Sequence, residues 1–189
     1  MLKIVGGKHR GRALMVPDGG ATRPTASRAR EALFNILMHA KWREDGTSPL
    51  LEARVLDAFA GTGALGLEAL SRGAAHVTFL DNDANAIRLI GENLRKLGET
   101  AAAKVVRGDA TRPPPGRDPC DLVFLDPPYR SGHAAPALAA LAQAGWVAPG
   151  AVATVELAHN EDIVPPAGFA AIDERRYGAA KIVILRHAS

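Results

Sequence analysis

From residue 54 onward, short apolar runs and amphipathic stretches take turns along the chain, and this alternation constrains the fold more than any other feature. The runs near 54–59 (RVLDAF), 76–81 (HVTFLD), 103–108 (AKVVRG), 120–126 (CDLVFLD) and 151–157 (AVATVEL) read as strands, most of them apolar enough to be buried on both faces. Predicted helices lie between them. One ends at Gly73, the next spans 84–97 with Ile87, Ile90, Leu94 and Leu97 on one face and Gly98 as its stop, and another covers 134–144 before Gly145. Strand–helix–strand units need right-handed crossovers, so the predicted class is α/β, with a doubly wound, mostly parallel sheet. The ending breaks this pattern: 170–177 and 181–186 are strand-like but joined by too few residues for a parallel crossover. A C-terminal antiparallel pair therefore completes seven strands.

Gly46-Thr47-Ser48-Pro49 reads as the break between an N-terminal extension, 1–45, and the main domain, 46–189. In the extension, apolar residues 2–5 and 13–16 predict a short hairpin around Gly6-Gly7-Lys8-His9-Arg10-Gly11-Arg12, and Asp18-Gly19-Gly20 then breaks the chain before a helix over 25–40. Nine Lys/Arg against four Asp/Glu fall in residues 1–45, while the rest of the chain holds fourteen against sixteen. A basic front end on a nearly neutral body points to a polyanionic partner. Lys8, Arg10 and Arg12 in the turn are candidate phosphate contacts, and Arg23-Pro24-Thr25 is a stiff cationic entry to the helix, placed to face a ligand. A length of 189 residues suits one core with a small appendage. No apolar run reaches the length of a membrane span and no secretory segment follows Met1, so a cytoplasmic protein is expected. The single Cys120 excludes an internal disulfide and a cysteine-cluster metal site and reads as a small core residue; the six histidines lack ligand spacing, and no metal is expected.

The chemistry gathers where strands end. Phe59-Ala60-Gly61-Thr62-Gly63-Ala64-Leu65-Gly66 puts Gly-x-Gly-x-x-Gly between the first main strand and a helix, where glycines let a nucleotide-like ligand lie against the backbone. Asp81 ends the next strand, placed to accept hydrogen bonds from both ribose hydroxyls, and Asp109 ends the third, within reach of an adenine amino group. Three such positions on successive strands suggest an adenosine-containing cofactor. A dinucleotide dehydrogenase shares these glycines and the first acid, yet it leaves Asp126-Pro127-Pro128-Tyr129 unexplained. Prolines cannot continue a central strand, so this tetrapeptide sits just past the sheet's carboxyl edge. There the Asp126 carboxylate and the Pro127 carbonyl are two acceptors suited to the two hydrogens of an exocyclic amine, and Tyr129 offers a face for a planar base.

These motifs together resemble the class I S-adenosylmethionine-dependent methyltransferases that modify exocyclic amines, which have a Rossmann-like fold. More narrowly, IVGGKHRGR, RPTASRAREALFNIL and LDAFAGTGALGLEALSRGA resemble the RsmD-like family, bacterial enzymes that methylate guanine N2 in 16S ribosomal RNA. The resemblance covers nearly the whole chain and is least specific after Tyr129. It implies S-adenosylmethionine as cofactor, its methionine part cradled by Gly61 and Gly63, its ribose held by Asp81 and its adenine by Asp109, with Asp57, Ala60, Thr62, Asn82 and Ala110 completing the set. It assigns Asp126, Pro127, Pro128 and Tyr129 to the target guanine, Lys8, Arg10, Arg12, Arg23 and Arg28 to RNA, and Thr25 and Glu31 to a lid over the cofactor. Position 81 is often Glu in such enzymes; Asp is shorter but keeps both acceptors. The implied partner is 16S ribosomal RNA or an assembling small ribosomal subunit, met by a monomer.

Four alternatives stay open on sequence grounds. The tetrapeptide does not itself separate adenine N6 from guanine N2. A DNA amino-methyltransferase shares it, but normally carries a recognition domain for which this chain has no room. A dehydrogenase and a non-enzymatic RNA-binding protein are the remaining rivals.

Overall fold

The computed structural model describes residues 1–17, 24–43 and 45–188, and of 24–28 the backbone alone. The predicted alternation is realised as strands β1 (Arg54–Ala58), β2 (His76–Asp81), β3 (Ala103–Arg107), β4 (Cys120–Leu125), β5 (Val147–Ala158), β6 (Phe169–Tyr177) and β7 (Ala180–His187). They form one sheet of order β3-β2-β1-β4-β5-β7-β6. β1 to β5 are parallel, and β7 runs antiparallel to both β5 and β6, as the short final connection requires. β5 starts earlier than predicted, because Cys120 pairs with Val147 and a register shift before Leu122 absorbs the residues around Pro149.

Helices α1 (Pro24–His39), α2 (Ala64–Ser71) and α3 (Ala84–Leu97) cover one face of the sheet; α4 (Ala134–Gln143) packs on the other. The α3 stripe largely follows its spacing: Ile90, Leu94 and Leu97 are buried and Ile87 is half-buried, Asp83 caps the start through the Asn85 N–H, and Gly98 ends it at φ 75°. No helix joins β3 to β4. Residues 108–119 instead run as a loop pinned by Trp146 Nε1, which donates to the Pro114 carbonyl at 2.7 Å, and by Gly116 N–H, which donates to the Ala144 carbonyl at 2.7 Å. Cys120 lies in the α4-side core, where burial pushes its thiol up to about 12 and leaves it inert.

The front end is built onto the same core as α2 and α3. Leu2, Ile4 and Leu14 are buried with Leu33, Phe34 and Leu37 of α1, and the Phe34 ring meets Phe124 of β4 at 5.5 Å. The hairpin is shorter than two strands, a single antiparallel bridge between Lys3 and Ala13 with a 3-10 turn over Gly7–His9 at its tip. That turn is seated on the end of α2. The buried Glu68 carboxylate accepts from Val5 N–H at 2.8 Å and Gly6 N–H at 2.7 Å, and Arg72 donates to it at 2.8 Å. A Cβ on Gly7, at φ 73°, would sit 1.8 Å from the Ser71 carbonyl oxygen, so the turn's glycine is required by packing. Among the described residues no helix is long and apolar enough to cross a membrane.

Candidate active site

Parallel register brings the strand ends into one row. Leu80, Ala58, Leu125 and Val155 are successive partners across β2, β1, β4 and β5, so Asp81, Phe59, Asp126 and Glu156 stand one residue beyond them at the carboxyl edge. That edge opens into a cleft of about 540 Å³, lined by those four residues together with Asn82, Pro127, Pro128, Tyr129 and His133. A smaller hollow of about 270 Å³ lies against Asp121 at the opposite, amino end of β4, away from the strand-end acids. Ligands in open α/β sheets bind at the carboxyl edge, which selects the larger cleft.

The sequence pattern singled out Asp81, Asn82 and residues 126–129, and missed Phe59, His133 and Glu156. Glu156 carried a signal: it is the one charged residue in the run 151–158, AVATVELA. Phe59 and His133 stack with ring planes 10° apart and centroids 6.5 Å apart, making an aromatic wall of the cleft. Phe59 holds φ 61°, a conformation that non-glycine residues avoid outside over-determined sites.

On the glycine-loop side, Gly61 and Gly63 are both left-handed, at φ 54° and 78°. A Cβ on Gly61 would meet nothing within 4 Å, so that face of the loop is open, whereas one on Gly66 would lie 2.3 Å from the Phe79 ring. The three glycines thus divide the work into turning, approach and helix–strand packing. Asp81 braces the loop: Oδ2 accepts from Gly61 N–H at 2.7 Å and Oδ1 from Asp83 N–H at 2.9 Å. Ala60 is buried, its N–H donating to the Leu80 carbonyl at 3.2 Å. The Thr62 carbonyl accepts from buried Asn93 at 3.2 Å, and Asn93 also bonds both backbone groups of Met15, tying the front end to the loop. Asp57 is buried behind it. Its Oδ2 accepts from Gly66 N–H at 2.8 Å, while Oδ1 is buried with no hydrogen-bond partner among the described residues. Burial pushes its carboxyl well above the usual range, the Gly66 N–H opposes this, and Asp126 and Asp81 add to it.

Asp109 and Ala110 stand apart from the cleft lining. Asp109 Oδ1 accepts from both Thr111 N–H and hydroxyl, at 2.8 and 2.7 Å, and these bonds hold its carboxyl below the usual range; Ala110 is buried in the α4-side core.

The tetrapeptide has a different character. Pro127 is buried, while Asp126 and Tyr129 open onto the cleft. The Tyr129 hydroxyl donates to Glu156 Oε1 at 2.7 Å. Water reaches Asp126 through the open cleft, but its carboxyl lies within the protein's mass; this desolvation raises its pKa to about 7, with the Glu156 charge contributing. The chain then reverses, with Ser131 N–H on the Pro128 carbonyl at 3.2 Å and Arg130, at φ 58°, held by the Glu161 carboxylate at 3.0 Å.

Of the basic residues, Lys8 pairs with Glu99 at 2.7 Å, with His9 on the same carboxylate, while Arg10 and Arg12 are exposed with no ion pair among the described residues. Glu31 is exposed on α1. Arg23 lies outside the described residues, as do the side chains of Thr25 and Arg28. No cluster of three or more His, Cys, Asp or Glu able to hold a metal ion occurs among the described residues.

A seven-stranded sheet of this order, with a glycine loop after β1 and acids along its carboxyl edge, has the class I methyltransferase fold. The chain belongs to the family described as Conserved hypothetical protein 95, matched over residues 2–186, which is the RsmD-like family of the sequence resemblance. It is 34% identical to the ribosomal RNA small subunit methyltransferase D of Haemophilus influenzae, covering 94% of this chain and 89% of that protein. It is 40% identical to the protein of the same name from Escherichia coli, covering 82% and 74% respectively. Among solved structures, yhhF from Escherichia coli superposes with a TM-score of 0.83 at 35% identity, over 99% of this chain and 98% of that one.

Proposed function

We propose that this protein is an S-adenosylmethionine-dependent ribosomal RNA methyltransferase, transferring methyl to the exocyclic N2 amine of a guanine in 16S ribosomal RNA within an assembling small-subunit particle. The observation that carries the reading is the meeting, in one cleft, of Asp126 and Tyr129 with Asp81, the acid whose carboxylate braces the glycine loop. The relatives' names support the RNA substrate and the transferase activity; the choice of guanine N2 follows the family resemblance.

The residues fit the cofactor. Asp57, with Oδ1 unpartnered and Oδ2 on the Gly66 N–H, suits a donor-rich ammonium head, the open face at Gly61 allows close approach, and the Asp81 carboxylate at the end of β2 suits ribose hydroxyls. When bound, S-adenosylmethionine supplies a methyl group on a sulfonium and leaves as a neutral thioether. Tyr129 offers its ring to the flipped base, and Asp126 with the Pro127 carbonyl accepts the two N–H groups of the amine. The amine's lone pair is delocalised into the ring, and acceptors on both N–H groups favour its pyramidal form, so they stabilise the transition state more than the ground state. The methylated nitrogen carries one proton too many. Asp126, with a pKa raised to about 7, is matched to take it near neutral pH. Arg10 and Arg12 supply sequence-independent affinity for phosphates.

The test is incubation with labelled S-adenosylmethionine and small subunits lacking the modification, followed by mass-spectrometric mapping. Label on guanine N2 is expected; label on adenine removes the guanine assignment.

A further inference from the structure

Glu156 is unexplained by the roles given so far. It lines the cleft beside Asp126, from the next strand, and strands lie about 4.8 Å apart. Its Oε1 is taken by the Tyr129 hydroxyl, which fixes the side chain, and Oε2 makes no hydrogen bond among the described residues. Two carboxylates are therefore presented together to whatever base stacks on Tyr129. Such a pair is costly unless its occupant brings donors to both.

We propose that Glu156 selects guanine by accepting its N1–H through Oε2 while Asp126 and Pro127 hold the adjacent N2 amine. Guanine carries N1–H and N2–H₂ on neighbouring atoms of one edge, so it offers a donor to each carboxylate. Adenine offers an amine beside an unprotonated N1, whose lone pair would face Glu156. Once the stacked base excludes water, acceptor against acceptor is strongly disfavoured. Tyr129 has a second duty in this arrangement, orienting Glu156 through its hydroxyl. The inference rests on the guanine reading and adds the residue that enforces it.

The probe is 2-aminopurine, which keeps the exocyclic amine at C2 but has an unprotonated N1. RNA bearing guanine or 2-aminopurine at the position that the wild type methylates is assembled into small subunits, and kcat/KM is measured with each. Wild type should favour guanine by about 100-fold or more. Glu156→Gln presents an amide that can donate to N1, and should shrink the guanine/2-aminopurine ratio by about 100-fold. The loss of O6 in the analogue is common to both enzymes, and any effect of the substitution on Asp126 is common to both bases, so each cancels when the two enzymes' ratios are compared. Wild type that uses both bases equally, or a variant that slows both equally, overturns the role of Glu156 while leaving guanine methylation standing. Absence of N2 methylation by wild type on either base overturns the reading beneath it as well.

Discussion

The cleft has two halves built from the same residue type at the same sheet edge. On β2, both Asp81 oxygens accept backbone N–H groups within hydrogen-bond distance, so the carboxylate is fixed in position and surrounded by donors. On β4, Asp126 ends an apolar strand, its following residue is a proline without an N–H, and its charged neighbour is another carboxylate. One acid braces the loop and, in the function proposed, anchors the cofactor; the other has its pKa raised to about 7. What separates them is the residue that follows. Asn82-Asp83 brings an N–H back to Asp81, whereas Pro127-Pro128 removes two donors from the vicinity of Asp126.

The comparison breaks if the two acids can be exchanged in effect. Asp126→Ala should lower the rate of methyl transfer by about 100- to 1,000-fold or more, because it removes an acceptor whose value is greatest in the transition state. Calorimetry should find S-adenosylmethionine binding unchanged. Asp81→Ala should do the reverse. Hydrogen bonds to a charged group are worth about 1.5–3 kcal/mol, so cofactor affinity should drop by about 10- to 150-fold while the rate at saturating cofactor stays near that of wild type. An Asp81 variant that binds cofactor normally would show that the loop brace is its whole function.

How far this division could be read from the sequence depends on the residue. The strand-end acids Asp81 and Asp126, and the loop between β1 and α2, follow from apolar periodicity and glycine spacing, because each is a local signal. The lone charge of Glu156 in an apolar run marks it in the sequence, but which residues it and Phe59 stand beside is set by register, which places Val155 beside Leu125 and Ala58 beside Leu80. No spacing along the chain encodes a neighbour thirty residues away. Gly7 is a subtler case. Its turn suggested close approach to phosphate, and the structure adds that the same absence of a side chain lets the turn sit on Ser71. The loop between β3 and β4 was legible in Pro113-Pro114-Pro115-Gly116, but the contacts that hold it, made by Trp146 and Gly116, arise only after folding.

Titration sharpens the contrast. If Asp126 works as the ionised acceptor, kcat/KM should rise with pH through about 7 and level off above it, falling about tenfold per unit below. Glu156→Gln should move this inflection to lower pH, since a neighbouring negative charge is gone. Stability carries the opposite sign. Asp126 ionises from about 3.9 in the unfolded chain and only near 7 when folded, so between those values the folded state holds more protons. Its contribution therefore weakens as pH rises through that window and is constant above it. Urea midpoints of wild type and Asp126→Asn, compared at pH 5 and pH 8, measure this difference; wild type should lose more on going to the higher pH.

Asp57 tests whether the contrast extends beneath the loop, and by the smallest effect. It is a buried acid like Asp126, yet one oxygen is bonded to a backbone N–H like those of Asp81. Asp57→Ala leaves the Gly66 N–H without its partner and should cost about 1–3 kcal/mol of stability. Asp57→Asn keeps a carbonyl for that N–H and removes the charge that burial disfavours. At pH 8, where burial opposes the ionised form most, it should unfold at the same temperature as wild type or higher. Adding S-adenosylmethionine then separates the two roles: wild type should gain thermal stability from the ligand, and the asparagine variant less, because its amide gives the ammonium group no charge to meet. Equal gains would mean that Asp57 only shapes the loop, leaving Asp81 as the sole anchor on that side of the cleft.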